Sequence, residues 1–161
     1  MNQALVSELK HEAASTRKML ERVPTDKWDW KPHDRSMSLG RLASHVATIP
    51  DYMTVTLTND ELDFAKGTYR PAVPTSTETL LDVFDESYEK ALQTLEAAGD
   101  ETLRGMWSLK NGGHTIFTLP RIAALRSFVM NHLIHHRGQL SVYLRLLDVP
   151  VPGMYGPSAD D

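Results

Sequence analysis

Three histidines, His132, His135 and His136, fall within the short stretch NHLIHHRGQL. A neutral imidazole offers a lone pair to divalent metals, and its protonated form can move a proton near neutral pH. On an α-helix, at about 100° per residue, positions four apart lie only about 40° from each other. His132 and His136 therefore project together, one turn apart, and can converge on one ion. His135 is turned about 60° from His132 on the other side and about 100° from His136, which makes it the member least suited to share their focus. Gln139 lies close to the face of His136, where it can hydrogen-bond a ligand or a substrate.

A histidine pair at this spacing occurs on many helices and says little alone. Its setting says more, because His132 and His136 interrupt an apolar stripe of Ile122, Leu125, Phe128, Val129, Leu133, Leu140 and Tyr143. Both should point inward, and a buried imidazole needs a partner. In SLGRLASHVATIPDYMTVTL, His45 repeats the pattern between Leu42 and Ile49. One core histidine is more often a satisfied packing residue than a ligand. Three of them on two helices form a facial three-nitrogen set of the kind that binds Zn, Ni or Fe(II) and leaves positions open for water or substrate. A metal-free polar network in the core is the competing reading.

The chain has no cysteine, which excludes disulfides, thiolate ligands and a Cys nucleophile; any thiol must come from a co-substrate. His11, His33 and His114 read as solvated or loop residues. Glu12, on the apolar side of the first helix between Leu9 and Met19, reads as a side chain snorkelling to solvent. An outer-sphere acceptor or general base is its other role. Position 133 is Leu, so the zinc-protease arrangement has no base. Gly-rich phosphate loops, nucleophile elbows and the Glu-x-x-His pairs of di-iron bundles are also missing.

Four helical segments must position these residues. The first runs from about 2 to 22 and stops before Pro24. The second opens at Ser38 as N-cap and kinks at Pro50. The third runs from Ser76 or Thr77 to about 98, and the fourth from near Pro120 to about 148. A short hairpin is expected around Asn111, Gly112 and Gly113. The expected fold is all-α: one domain over 1–161, a four-helix bundle with long inter-helix loops and an irregular tail at 149–161. Hydrophobic residues make up 41% of the 161 and charged ones 24%, as in globular proteins. The net charge of −4 is well mixed, so nucleic acid is not an expected partner. No apolar run suggests a membrane span and the N-terminus is unlike a signal peptide, so a cytoplasmic location is the expectation.

Four stretches in order, DWKPHDRSMSLGRLASHVATIPDY, DVFDESYEKALQTL, NHLIHHRGQLSVYLRLLDVPVP and PGMYGPSADD, resemble the DinB-like (damage-inducible protein) superfamily, also described through YfiT-type metal-dependent hydrolases. The most specific part is the second-helix histidine followed far downstream by His-x-x-x-His before Arg-Gly-Gln. The resemblance implies a bundle with non-sequential helix neighbours, a homodimer, and a divalent metal on His45, His132 and His136, with His135 not a ligand. It also implies S-transferase or isomerase relatives that use a low-molecular-weight thiol. Two functions compete. One is an enzyme that activates water or a thiol for a small-molecule substrate. The other is a non-catalytic, stress-related scaffold around a structural or vestigial ion.

Overall fold

The apolar spacing carries through into helices, and capping residues set where they begin. In the computed structural model, which describes residues 2–161, α1 spans Asn2–Leu20 and buries Leu5, Leu9, Met19 and Leu20. α2 spans Leu39–Thr48, and its Ser38 cap accepts the Arg41 N–H, as expected from the sequence. α3 spans Asp51–Thr58. Ile49 and Pro50 keep right-handed helical dihedrals between them, so Pro50 interrupts the ladder for two residues instead of ending the segment. α4 spans Thr77–Ala97 and starts with a capping box between Ser76 and Thr79.

Beyond α4 the chain departs from the all-α expectation. A short helix α5, Asp100–Arg104, precedes two strands, β2 (Met106–Asn111) and β3 (His114–Pro120). They form the expected hairpin, and Gly112 (φ 57°) and Gly113 (φ 81°) supply the positive dihedrals of its tight turn. A third strand, β1 (Glu61–Asp63), pairs parallel with β2 to give a sheet in the order β1-β2-β3. The protein is thus mostly helical but carries a small sheet, which corrects the all-α expectation. Asp63 ties β1 to the hairpin: its Oδ1 accepts the Gly112 N–H at 2.9 Å and the Ala65 N–H at 3.0 Å.

The last helical stretch is also more broken than expected. α6 (Arg121–Ala124) leads into a π-helical turn, Leu125–Met130, and then into α7, Asn131–Leu146. The Asn131 N–H reaches back five residues to the Arg126 carbonyl. Such wide turns are rare and recur at functional sites. Here the turn carries Phe128, whose ring packs 5.7 Å from buried Trp107 of β2 and 6.0 Å from Phe117 of β3. The sheet therefore braces the helix just ahead of His132.

α4 packs against α1 on one side and α2 and α3 on the other, and α7 packs against both α2 and α1. This order sets α2 beside α7 although nearly ninety residues separate His45 from His132. Residues 149–161 contain no helix or strand, and among the described residues no helix is long and apolar enough to cross a membrane.

Candidate metal centre

His45 comes from the last turn of α2, and His132 and His136 from the first turns of α7. The Nε2 atoms of His45 and His132 lie 3.1 Å apart. Two nitrogens held about 2.0–2.1 Å from one ion at tetrahedral or octahedral angles sit about 2.9–3.4 Å from each other. The observed spacing falls in that window. His136 completes the group: one nitrogen from each of the three rings lies within 4.8 Å of the others, and ring centroids are 4.6–4.9 Å apart. Among the described residues this is the one cluster that could hold an ion.

All three rings are half-buried, and burial is the first cause of their low basicity. It pushes His45 down to about 4, helped by His136 and by the Arg41 charge. Burial, then His45 and the other two histidines, also takes His132 to about 4. His136 is lowered by burial too, with Gln139 pulling the other way. The site is therefore a set of neutral lone pairs at physiological pH, the form a metal requires.

Neighbours fix the rings. His136 Nδ1 lies 2.7 Å from Gln139 Oε1, so the Nδ1–H donates to the amide and leaves Nε2 free for an ion. His132 stacks on Phe128 (5.9 Å) and on Tyr52 (6.1 Å). Its Nδ1 is buried without a well-formed hydrogen bond, although the Phe128 carbonyl one turn back favours a proton there. Three neutral imidazoles at ligand spacing, each with Nε2 available or directed inward, suit a divalent cation of the Zn, Ni or Fe type.

The low pKa values give a signed expectation. A histidine depressed from 6.5 to about 4 resists protonation only in the folded state. Its contribution is intact above about pH 6.5 and is lost as pH falls toward about 4, where the unfolded chain binds protons that the folded chain refuses. Imidazole NMR of metal-free protein should find His45 and His132 titrating near 4, with the denaturation midpoint falling across pH 6.5–4. Midpoints above pH 6 for both rings would contradict this burial.

His135 is exposed, 4.8 Å from the His136 ring and outside the nitrogen cluster, as helical geometry predicts. His11, His33 and His114 are exposed and lie outside the cluster. Glu12 does not snorkel. It is 5% exposed and pairs with Arg137 at 2.7 Å, while the Tyr155 hydroxyl donates to its carboxylate at 2.9 and 3.0 Å. Arg137 Nη1 also bonds the Glu12 carbonyl and Thr16 Oγ1, each at 3.1 Å. Glu12 thus holds α1, α7 and the tail together and is engaged by none of the three histidines.

Sequence reasoning missed a groove of about 550 Å³ beside His45. Trp28, Met37 and the loop 71–74 form its other walls, facing Arg41, Ser44, His45 and Thr48 of α2. Those four α2 positions follow the i, i+3, i+4, i+7 rule, a signal that was present in the sequence. Trp28 lies flat against Gly40, where any Cβ would collide with the indole. Tyr143 binds the Met37 carbonyl and Tyr69 the Thr48 carbonyl, both at 3.2 Å, fixing two of these walls.

Comparison with known proteins gives the family and the fold. The DinB family model matches residues 1–161. YrdA of Bacillus subtilis is 27% identical over 156 residues, covering 93% of this chain and 85% of YrdA. A crystal structure of a DinB-like protein from Bacillus cereus superposes with a TM-score of 0.72 at 26% identity, covering 95% of this chain and 97% of the other. The crystal structure of the DinB-like protein YjoA from Bacillus subtilis gives 0.71 at 23% identity, covering 91% and 96%.

Proposed function

This chain belongs to the DinB family, and on that premise we propose that it is a metal-dependent enzyme of the transferase or hydrolase type, with His45, His132 and His136 holding one divalent ion. The observation that carries the reading is the 3.1 Å approach of two imidazole Nε2 atoms from different helices, with a third ring beside them. Like charges do not explain the cluster, because all three rings are held neutral. An ion at this site would lower the pKa of a water or a low-molecular-weight thiol and so supply a nucleophile near neutral pH.

The chain's own residues supply the rest. Gln139 orients His136 and is a positioning residue. Tyr52 and Phe128 stack their rings on His132 and hold its plane. The groove beside His45 admits a small-molecule substrate, while Glu12 supports the helix pair and is not assigned as a base. The reading takes α2–α3 as one interrupted helix and α6–α7 as another, which with α1 and α4 would make a bundle of four with the sheet as an insertion; the contacts of α4 with α1, α2 and α3 support it. The reading includes a cytoplasmic homodimer, and Zn, Ni and Fe(II) are the candidate ions.

The test is a panel of thiols and electrophiles, alongside ester and amide substrates, offered to zinc-, nickel- and iron-loaded protein. Turnover that appears with metal and disappears in His132→Ala is expected. Turnover retained in metal-free His132→Ala would sink the proposal. Metal binding with no turnover across the panel would instead favour a scaffold built around the ion.

A further inference from the structure

We propose that the groove beside His45 is a substrate site for a small carboxylate-bearing molecule with an apolar body, whose anionic end pairs with Arg41. The inference rests on the enzymatic reading above and specifies what that site accepts.

Arg41 and His45 stand on one face of α2, one turn apart, and both line the same groove. Arg17, Arg104, Arg121, Arg126, Arg137 and Arg145 each meet a carboxylate. Among the described residues, the Arg41 guanidinium, like those of Arg22 and Arg35, has no ion pair or hydrogen bond of its own, and Arg41 is the arginine that lines the groove. Asp29 also lines the groove, and among the described residues no ion pair joins it to Arg41. A guanidinium presents a planar fork of donors that matches a carboxylate in two parallel bonds.

Beside Arg41 and His45 the groove has apolar walls from Trp28, Met37 and the loop Pro71-Ala72-Val73-Pro74. Val73 is 81% exposed and forms part of the lip. The polar groups on the α2 wall are turned inward on their own helix. Ser44 Oγ donates to the Gly40 carbonyl at 2.6 Å, and Thr48 Oγ1 to the Ser44 carbonyl at 3.0 Å. What remains is a largely apolar slot with a cation at one position and His45 about 6 Å of helix rise further along. A molecule seated in it would place its far end against His45, the one histidine of the cluster that lines the groove, with its carboxylate on Arg41.

The probes are 3-phenylpropionate, 3-phenylpropylamine and 3-phenylpropan-1-ol, alike in size and different in charge. Titrated into metal-free, ¹⁵N-labelled protein, each is followed at the Trp28 indole N–H. The carboxylate is expected to bind at least about tenfold more tightly than the amine or the alcohol, as a charge-assisted pair would provide. Arg41→Gln should erase that preference while leaving zinc content unchanged. Equal binding of the three probes, or a preference that survives in Arg41→Gln, would overturn the proposal. Because metal-free protein is used, failure of zinc uptake would refute the enzymatic reading while carboxylate selectivity still stood.

Discussion

Replacing Glu12 with Ala is expected to destabilise the protein by about 3–5 kcal/mol, the cost of leaving one buried charge without its partner. Arg137 is 2% exposed, and its guanidinium contacts the Glu12 carboxylate, the Glu12 carbonyl, Thr16 and Tyr155. Removing the carboxylate keeps the desolvated cation and deletes the counter-charge paired with it. Arg137→Met with Glu12→Leu should recover most of the loss, because a buried pair is often matched by well-packed apolar residues. Urea unfolding of the single and double variants measures both. A cost below about 1 kcal/mol for Glu12→Ala would mean that the pair is solvated in solution.

His132→Ala carries the largest functional effect. Loss of an outer-sphere partner typically weakens metal binding by about 10–100-fold, so loss of a direct ligand should exceed about a hundredfold. Gln139→Leu, which frees the His136 ring from its 2.7 Å contact, should fall within the outer-sphere range. His135→Ala should leave affinity unchanged, since its ring lies outside the cluster. Competition titrations against a chromophoric zinc chelator would rank the variants. An order in which His135→Ala matches His132→Ala would overturn the assignment of the three ligands.

The histidine cluster was legible in the sequence because it obeys helical arithmetic. Two histidines four apart and a third on another apolar stripe are placed by a 3.6-residue period, and the structure brings the same three nitrogens together. Helix starts at Ser38 and Ser76 were legible for the same local reason, each being a capping residue ahead of an apolar run. Glu12 shows where local reasoning stops. Its spacing put it on the buried face, but the partner that makes burial tolerable sits 125 residues away on α7.

β1 escaped for a related reason. Glu61–Asp63 is three residues long with charges at both ends, too short to show alternation, and it becomes a strand only by pairing with β2. The π turn at Leu125–Met130 contains neither Gly nor Pro to mark it, and its surroundings come from Trp107 and Phe117 on the sheet. The groove likewise depends on loops, the 28–37 stretch and the 71–74 lip, that meet only in three dimensions.

The central claim is that His45, His132 and His136 hold one divalent ion. Elemental analysis of protein purified without a nickel column, after exchange into equal zinc, nickel and iron(II), tests it most directly. About one tightly held ion per chain is expected in the wild type and in His135→Ala, with near-complete loss in folded His45→Ala and His132→Ala. A wild-type protein that retains no ion, or a folded His132→Ala that retains a full one, would contradict the account.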